Sequence, residues 1–517
     1  MANPALWALA SVAVVLYFVA LVIYRLYFHP LAKFPGPKLA AATGWYEAYH
    51  DLKGPGGQFL FRLKALHEKY GPVVRLSPDE VHIDDPTWVD TLFAGPAQGI
   101  RNKYTPAANQ AGTPLGVFGT TLHHTHRRRR AALNPLFSKA RVAGFEDTLY
   151  EKADLLFRRI DSQTARNGFC EMRTAFSAYT LDIVHEYSLG KPLGLLHDEN
   201  YAYEWHQSLR ALAITIPWGR QFGWIMSLSQ MVPHRIMKIV APDLARVAGM
   251  HHDMEAQALE AVRELGGDEK SAANSRQRQN PGDKFAVYRT LLHNDGLPAR
   301  EKLYNRISHE AVTLMAAGGE TTATALMIAV YFLLSNPELI SKIREEVESV
   351  TPPGESRPSL ADLERLPWLT AIIKETLRMG TITGRLTRVA PEEPLFYKNW
   401  VLPAGTAVSM TLRNISLDPE IFPEPMGFRP ERWLPTNPDV DRCNQNIVAF
   451  GRGSRICLGL HLAWAEMYVI LGNLFRGRDF ELVETVRERD VDFVRDCLVG
   501  ETSANSKGVR IRYAKTA

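Results

Sequence analysis

The segment Phe450–Gly459, FGRGSRICLG, stands directly before an apolar stretch and decides the fold. The chain of 517 residues has only four cysteines, and one of them, Cys457, lies among these glycines and arginines. Residues 458–475 are predicted to form a helix that begins just after the sulfur. Its free N-terminal N–H groups and partial positive charge would stabilise a thiolate. We therefore interpret Cys457 as a metal-ligating thiolate.

The residues around this cysteine suit a flat, negatively charged cofactor. Because glycine has no side chain, the backbone at Gly451, Gly453 and Gly459 can approach such a group closely. Arg455 can bind a carboxylate of the cofactor, and Phe450 can shield the sulfur from water. A buried structural cysteine is the alternative interpretation of the segment.

The composition is that of an ordinary folded protein, with 46% hydrophobic and 22% charged residues. The net charge of +4 is too small to indicate nucleic-acid binding, so we expect no nucleic-acid partner. The cysteines form no CxxC pair and are too few for a disulfide-stapled fold. Their number favours a reducing compartment.

Residues 4–24 form a run of 21 residues without a charged side chain. As a helix, such a run spans the hydrocarbon core of a membrane, which is roughly 30 Å thick. No basic segment or cleavage site of a signal peptide accompanies it. Arg25, Lys33 and Lys38 follow the run, which places the main body on the cytosolic side by the positive-inside rule. We predict a single transmembrane anchor at 4–24, with a buried core helix as the alternative.

The residues after the anchor predict a hinge and then one large domain. Residues 25–40 contain three prolines close to Gly36, which favours a stiff, turned connector. Residues 41–517 show many helical patterns and few, short strand candidates, so we predict a mainly α fold with small β-sheets. The clearest helical patterns cover 58–69, 128–133, 145–160 and 176–187, and the strand candidates are 72–78, 80–85, 394–403 and 509–515.

The pattern F-x-x-G-x-R-x-C-x-G resembles the haem-binding loop of the cytochrome P-450 family. In that family a cysteine thiolate is the axial ligand of the haem iron. The resemblance implies haem b as the cofactor and Cys457 as the ligand of its iron. It also implies that Phe450, Arg455 and Gly459 bind the cofactor.

A second pair of motifs supports the same resemblance. The segment KETLRM places Glu375 and Arg378 on one face of a helix, and FRPERW adds Arg432. Taken alone, Glu375 and Arg378 are typical of a solvated helix pair worth a few tenths of a kcal/mol. In the family, E-x-x-R and P-E-R form a buried ion network behind the haem, and the resemblance implies this role here. Trp433 follows P-E-R where the family usually has phenylalanine.

The apolar run at 311–334 contains Gly318, Gly319, Glu320 and Thr321 at its centre. Paired glycines and a hydroxyl inside a helix weaken or bend its hydrogen-bond ladder, although packing glycines are an equally good interpretation. The run resembles the family's central helix, where an acid and an alcohol relay protons to bound dioxygen. The resemblance implies that Glu320 and Thr321 are catalytic residues in general acid catalysis.

The segment HHTHRRRRAALNPLFS, 123–138, holds four consecutive arginines. By itself it would indicate a solvated basic face, a nucleic-acid patch or a zinc site, but its histidines have no cysteine or acidic partners nearby. In the family's W-x-x-x-R helix, both named residues face the haem propionates. His126 and Arg130 occupy these positions, and the histidine is a departure from the pattern. Arg388 resembles another propionate-binding arginine, and the remaining arginines predict a positive surface for an acidic electron donor.

The sequence from Tyr24 to Ala41 is closest to membrane-bound fungal enzymes of this family, including the trichodiene-oxygenase-like branch. The resemblance implies an endoplasmic-reticulum haem-thiolate monooxygenase that inserts one atom of dioxygen into an apolar small molecule, with a terpenoid or polyketide expected. Because no G-x-G-x-x-G fingerprint occurs and the fold uses nearly the whole length, electrons would come from a separate NADPH–cytochrome reductase. Two alternatives remain: a haem-thiolate isomerase or dehydratase without a reductase, and a non-catalytic haem-binding membrane protein.

Five segments are expected to contact the substrate because of their positions in the family. Their mixture of apolar and small residues suits an apolar molecule. For the segment Trp205–Met231, contact with the membrane and core packing are the alternatives. The segments are Tyr104–Phe118, Trp205–Met231, Met315–Gly319, Thr381–Thr383 and Leu498–Thr502.

Overall fold

The computed structural model describes residues 4–95, 97–201, 203–225, 232–266, 282–351, 357–380 and 384–514. Helices dominate and the sheets are small, so the predicted fold class is confirmed. The long helices are Pro4–Ile23, Phe59–Tyr70, His123–Leu133, Glu146–Asn167, Met172–Leu189, Tyr203–Gln221, Pro242–Gly266, Tyr304–Ser335, Pro337–Val350, Pro367–Met379 and Leu460–Asn473. The short helices are Lys38–Ala42, Trp45–Leu52, Val89–Leu92, Thr105–Asn109, Lys139–Ala143, His234–Val240, Ala286–Leu292, Leu360–Leu363, Leu412–Ser416, Val440–Gln445 and Arg487–Asp490.

The strands have two to five residues each. They are β1 Val73–Arg75, β2 Glu80–Ile83, β3 Asn102–Lys103, β4 Cys170–Glu171, β5 Arg385–Val389, β6 Leu395–Tyr397, β7 Trp400–Leu402, β8 Ala407–Thr411, β9 Phe480–Leu482, β10 Arg495–Cys497, β11 Val499–Glu501 and β12 Arg510–Tyr513. The largest sheet has the order β1-β2-β8-β5-β3, with β2 and β8 parallel. The other sheets are the hairpins β10-β11 and β6-β7 and the three-stranded β4-β12-β9.

The helix Tyr304–Ser335, here called the central helix, runs through the largest apolar core for 32 residues. Its glycine pair does not interrupt it. A Cβ at Gly318 would lie 2.8 Å from Val184 of the helix Met172–Leu189, and one at Gly319 would overlap Leu181 of that helix. The pair therefore lets two helices pack closely, which is the packing interpretation rather than a bend.

The N-terminal helix is longer than predicted. Helix Pro4–Ile23 continues into a π-helical turn, Tyr24–Phe28, which begins at the last residue of the predicted anchor and extends four residues beyond it. The span Ala5–Phe28 has a mean hydropathy of 2.7 and its most apolar window is 0% buried, so it is a candidate single-pass membrane anchor. The central helix is also apolar enough to cross a membrane, but it is mostly buried in the core.

The proline-rich segment after the anchor packs against the body. Leu31 and Phe34 are buried, and the Phe34 ring stacks on that of Trp400 at 4.9 Å. The backbone N–H of Arg75 in β1 donates to the Pro35 carbonyl at 2.7 Å. Gly36 has a φ of +159°, and a Cβ there would lie 2.5 Å from the Arg75 carbonyl oxygen. This segment is therefore fixed on the sheet.

Candidate active site

The cysteine loop is held in shape by its own backbone. A 3₁₀ turn, Gly453–Arg455, precedes Cys457, and the helix Leu460–Asn473 begins three residues after it. The Cys457 N–H donates to the Phe450 carbonyl at 2.9 Å, which closes the loop. The Phe450 ring lies 6.4 Å from that of Trp464, and both side chains are partly buried against the largest apolar core.

Opposing effects act on the pKa of the Cys457 thiol. Burial raises the pKa of the Cys457 thiol, while a hydrogen bond from the Gly459 backbone and the charge of Arg130 act to lower that pKa. The helix start therefore supports a thiolate, as the sequence indicates, but does not by itself produce one. A bound metal cation would supply the remaining stabilisation, because coordination deprotonates a thiol.

The three loop positions occupied by glycine favour this residue for different reasons. Gly453 has a φ of +69°, and a Cβ there would overlap the Phe93 carbonyl oxygen. Its role is close packing on the protein itself, and the expected clearance for a cofactor is wrong as the reason for this residue. Gly451 has a φ of +72°, which favours glycine for backbone reasons. A Cβ at Gly459 would meet no protein atom within 4 Å, so Gly459 keeps the cofactor-binding role as a proposal.

Three cations, of which two are buried and one is half-buried, gather next to this loop without a carboxylate partner in the described part of the chain. Burial lowers the pKa of Arg388 to about 10. Burial and the neighbouring Arg388 lower the pKa of Arg455 to about 9. Burial, Arg455 and Arg388 hold the pKa of Lys103 well below its usual range. We call Lys103, Arg388 and Arg455 the cation cluster.

The contacts of the cation cluster leave donors unused. Arg455 donates to the Thr120 and Thr121 carbonyls at 2.8 and 2.9 Å, but its buried Nε has no partner. Lys103 in β3 pairs with Arg388 in β5, and its Nζ donates to the Phe118 carbonyl at 2.9 Å. Arginine and lysine bind carboxylates with charge-assisted hydrogen bonds. The cluster therefore fits a group that carries two carboxylates.

His126 and Arg130 lie one turn apart on the same face of the helix His123–Leu133 but have different contacts. His126 is buried, and burial together with Arg455 lowers its pKa to about 2, so it is a neutral neighbour of the cation cluster. Arg130 donates instead to the Ile456 and Cys457 carbonyls at 2.7 and 3.2 Å. In the structure Arg130 therefore supports the cysteine loop, and its contact with a propionate stays a prediction.

The expected network behind the loop is a buried cluster around Glu375. Arg378 Nη2 and Nε donate to its two carboxylate oxygens at 2.7 and 2.8 Å, and Arg432 Nε lies 3.4 Å away. The indole N–H of Trp433 adds a hydrogen bond to Glu375 Oε2 at 2.9 Å. The Arg429 backbone N–H donates to the same carboxylate at 2.8 Å. The departure from phenylalanine at 433 therefore adds a donor to a buried carboxylate.

The carboxylate of Glu320 is held by basic side chains from other helices. Arg173 Nε donates to it at 2.5 Å, and His206 Nδ1 lies 3.5 Å from its other oxygen. Arg173 also bonds Glu501 in β11 at 2.7 Å. Although burial raises the pKa of Glu320, Arg173 outweighs it and the pKa falls to about 2. Glu320 is therefore ionised at neutral pH.

Thr321 has a different environment from its neighbour. Its hydroxyl donates to the Ala317 carbonyl at 2.7 Å, one turn earlier in the central helix, and its side chain is not enclosed. The structure therefore does not join the hydroxyl of Thr321 to the carboxylate of Glu320. The two residues lie next to each other in the helix with different partners.

The basic helix has an inward and an outward side. Arg129 is buried and bonds Glu301 at 2.7 Å, so the prediction of a solvent-facing charge is wrong for this arginine. It also donates to the Leu115 carbonyl at 2.7 Å. Glu310 of the central helix accepts the Val117 backbone N–H at 3.0 Å. Together they fix the loop before the basic helix over the central helix.

Three of the five expected substrate segments meet around one cavity. Gln110, Ile216 and Leu498, one residue from each of these segments, line it. The segment Met315–Gly319 lies on the central helix, with Met315 buried. The segment Thr381–Thr383 and the end of Trp205–Met231 lie outside the described residues.

Two functional candidates, Lys103 of the cation cluster and Arg173 beside Glu320, are absent from the sequence-based prediction. His206 and Glu501 also surround Glu320, and they lie in segments that are expected to contact the substrate instead. Lys103 has no local signal, because β3 consists of Asn102 and Lys103 alone. The partners of Glu320 come from distant segments without a motif, so no local pattern marks them.

Three features together define a haem-thiolate enzyme. They are a cysteine at a helix start, the cation cluster beside it and a buried Glu-Arg network behind it. Comparison with known proteins gives the same result. Residues 43–503 match the family model described as Cytochrome P450, so the chain belongs to the cytochrome P450 family. The family binds haem iron through a cysteine thiolate, and the donors described above fit that cofactor.

Curated relatives cover almost the whole chain and come from fungi. Tryptophan 6-hydroxylase fscE of Fusarium equiseti is 37% identical, over 95% of this chain and 94% of the relative. Cytochrome P450 monooxygenase sdnE of Sordaria araneosa is 36% identical, over 97% of each chain. Cytochrome P450 monooxygenase TRI4 of Trichoderma arundinaceum is 34% identical, over 96% and 93%. The chain is therefore a P450 monooxygenase, which uses dioxygen, a redox partner and a small-molecule substrate.

Proposed function

We propose that this monooxygenase hydroxylates or epoxidises an apolar small molecule of fungal secondary metabolism, with Cys457 as the thiolate ligand of haem b. The cation cluster carries the proposal. It places three basic side chains, two of them buried and one half-buried, beside the Cys457 loop without a protein carboxylate among the described residues, and two haem propionates would pair with them. Bound haem supplies the activation of dioxygen.

The residues of the chain have separate roles in this proposal. Arg388, Arg455 and Lys103 bind the propionates, and neutral His126 offers a further ring nitrogen. Phe450 covers the inner side of the cysteine loop, and the Gly459 N–H donates to the sulfur. Arg130 keeps the loop in place through its carbonyls. Behind the loop, Glu375, Arg378 and Arg432 hold the backbone that supports it.

Proton delivery is assigned to Thr321 and Glu320 in different roles. The Thr321 hydroxyl can leave the Ala317 carbonyl by rotating about χ1. It can then donate a proton at the open surface of the central helix. Glu320 is ionised, so it does not serve as a standing acid at neutral pH. We assign it to accept a proton when Arg173 moves away and to pass that proton on.

The proposed location is the endoplasmic-reticulum membrane, with a single span and a cytosolic catalytic domain. The exposed helix Ala5–Phe28 supports a span, and Arg25, Lys33 and Lys38 behind it support this orientation. A group of exposed aromatic side chains also supports the location at the membrane. The exposed rings of Trp45 and Trp224 lie 5.8 and 6.1 Å from the ring of Phe222, as is typical of aromatic residues at a membrane interface.

The proposed electron donor is a separate NADPH–cytochrome reductase on the same membrane. Exposed Arg127 and partly exposed Arg128 give the basic helix an outward positive charge near the cysteine loop. Such a surface favours encounter with an acidic partner. A terpenoid or polyketide remains the substrate class favoured by the sequence, and the name of the Fusarium equiseti relative adds an indole to the skeletons worth testing.

The carbon monoxide spectrum of the reduced protein tests the haem assignment. We expect the shifted Soret band of thiolate-ligated haem for the wild type and its loss in Cys457→Ala. Cys170→Ala is the matched control, because Cys170 is a buried free cysteine in β4. A normal-haem band in the wild type, or a retained shifted band in Cys457→Ala, would contradict the proposal.

Reconstitution with the reductase distinguishes the alternatives. A monooxygenase consumes NADPH and dioxygen in proportion to product, whereas an isomerase or dehydratase turns over without NADPH. A non-catalytic haem protein gives no product under either condition. Metabolite profiles of a strain lacking the gene then identify the substrate that accumulates.

A further inference from the structure

A second site lies where three of the expected substrate segments meet. The cavity is enclosed by the helix Trp45–Leu52, the end of the helix Tyr203–Gln221, strand β5 and the tip of the β10-β11 hairpin. Strand β5 runs from Arg385 in the wall of this cavity to Arg388 of the cation cluster, so one strand connects the two. A substrate that reaches the haem side from here would leave its far end among the residues of this wall.

Four of the charged groups around the cavity neutralise one another. Arg385 donates to Glu47 through a short hydrogen bond and to Glu80 at 2.8 Å. Arg220 Nε lies 3.0 Å from Glu47, and its Nη2 lies 3.6 Å from Glu80. Two guanidinium groups therefore balance two carboxylates. This set contributes no net charge to the cavity.

Two further carboxylates lie beside this balanced set. Asp51 Oδ1 accepts the Phe59 backbone N–H at 3.0 Å, and Asp496 Oδ1 accepts that of Leu498 at 3.0 Å. Neither has an ion-pair partner within 4.0 Å in the described ranges. A Cβ at Gly384 would lie 2.6 Å from Asp496 Oδ2, so only a residue without a side chain fits beside this carboxylate. Burial raises the pKa of both carboxyl groups, as expected where a cation is missing.

The side chain of Gln110 is an independent sign of a ligand. Gln110 is only 6% exposed and lines the cavity, and its amide forms no hydrogen bond with any described residue. Buried amides are almost always paired, because an unpaired one costs free energy. The remaining walls are apolar and include Phe59, Ile216 and Pro217. The cavity thus presents two carboxylates and one amide on an apolar surface.

We propose that this cavity binds the protonated amine of the substrate, with Asp51 and Asp496 as its carboxylate partners and the Gln110 amide oxygen as a third acceptor. The inference rests on the proposed function, because it describes one end of the substrate of the same enzyme. A further carboxylate in the ligand is disfavoured, because four carboxylates already face two guanidinium groups. The substrate class is therefore an amine with an apolar or aromatic body.

Three indoles of matched shape test the inference by calorimetric titration of the full-length holoenzyme. Tryptamine carries an amine, 3-ethylindole carries no charge and indole-3-propionate carries a carboxylate. We expect tryptamine to bind at least tenfold more tightly than 3-ethylindole, and indole-3-propionate to bind most weakly. In Asp51→Asn and Asp496→Asn the preference for tryptamine should fall below threefold. Asp441→Asn, which changes an exposed carboxylate elsewhere, should keep it.

A gain of binding provides a second readout if the asparagine variants fold poorly. Gln110→Glu has the same shape and adds a carboxylate to the cavity, so it should bind tryptamine several times more tightly than the wild type. Equal affinities for tryptamine and 3-ethylindole, or a preference unaffected by all three variants, would overturn the inference. The carbon monoxide spectrum separates this result from a failure of the proposed function. A thiolate-haem band without amine preference contradicts the amine site alone, whereas an absent band contradicts the monooxygenase assignment.

Discussion

Arg173 donates to Glu320 at 2.5 Å, so the acidic residue of the central helix is held by a helix that precedes it by 147 residues in sequence. The same guanidinium binds Glu501 on the C-terminal hairpin. One side chain therefore ties the centre of the catalytic helix to a strand at the substrate cavity. The ion pair is buried on both sides.

Removing this guanidinium should destabilise the fold. Arg173→Leu leaves two buried carboxylates with only longer contacts, from His206 to Glu320 at 3.5 Å and from Arg210 to Glu501 at 3.9 Å, and breaking a buried pair in this way costs about 3–5 kcal/mol. Urea unfolding measures the free energy. Arg166→Leu is the control, because it removes an ion pair with Glu199 that is exposed on both sides, and it should leave stability unchanged. Equal stability of the two variants would show that Glu320 does not depend on Arg173.

The pH dependence of stability should report the ionised state of Glu320. Its pKa is about 2, below the ordinary value of 4.5, so its ion pair contributes stability above pH 4.5 that is lost as the pH falls toward 2. Urea unfolding of the wild type and Glu320→Gln at pH 5, 4 and 3 tests this. The difference in unfolding free energy should shrink as the pH falls. A difference that stays constant would mean that the pKa of Glu320 is the same in the folded and unfolded protein, and one that grows as the pH falls would mean that the folded protein holds this carboxyl protonated.

Trp433 should stabilise the Glu375 network more than phenylalanine would. Trp433→Phe keeps an aromatic ring but removes the indole donor 2.9 Å from a fully buried carboxylate. Loss of a hydrogen bond to a charged group costs about 1–3 kcal/mol, and the remaining arginine bonds favour the lower end. Chemical unfolding measures this cost. An unchanged midpoint would show that Arg378 alone satisfies Glu375.

Lys103 should slow the loss of haem. Lys103→Met removes one cation of the cluster, and losing a charge-assisted hydrogen bond of about 1.4 kcal/mol corresponds to roughly tenfold faster dissociation. Transfer of haem to excess apomyoglobin gives the rate. Lys64→Met, at an exposed position, is the control. Matching rates in the two variants would remove Lys103 from the propionate site.

Binding of tryptamine should strengthen between pH 6 and 8. Burial and then the charge of Glu47 raise the pKa of Asp51 to about 7, and Asp496 adds to the rise, whereas the Phe59 N–H and Arg385 oppose it. The carboxyl must lose its proton to pair with an amine, and an aliphatic amine stays protonated over this range. The affinity of Asp51→Asn should be flat. A wild-type affinity that falls with pH would exclude Asp51 as the partner.

Local chemistry explains which parts of the site the sequence could predict. The Cys457 loop and the Glu375–Arg378 pair each lie within ten residues, so their spacing alone indicates the arrangement. The partners of Glu320 lie far away in the chain, and only tertiary packing brings them together. The same holds for the unpaired carboxylates of the cavity, since Asp51 and Asp496 come from opposite ends of the protein.

The secondary structure likewise contains elements that the local sequence predicts and elements that depend on distant partners. The helix predicted at 145–160 extends over Glu146–Asn167 because its apolar side repeats at helical spacing. The helix predicted at 128–133 begins five residues earlier, at His123, where polar residues hide the pattern. Strands β3 and β4 have two residues each, and their positions depend on pairing with β5 and β12 rather than on their own sequence.

The packed segment after the N-terminal helix determines where the protein can be shortened for work without detergent. Leu31 and Phe34 are part of the core, and Gly36 touches β1, whereas residues 5–28 make no buried contact in their apolar window. Truncation just before Arg25 should remove most of the apolar span and leave the body intact, because the Arg25 carbonyl accepts a hydrogen bond from buried Arg75 at 2.9 Å and has to be kept. Truncation after Gly36 would instead open the apolar layer beneath the largest sheet and expose Trp400, with aggregation as the expected result.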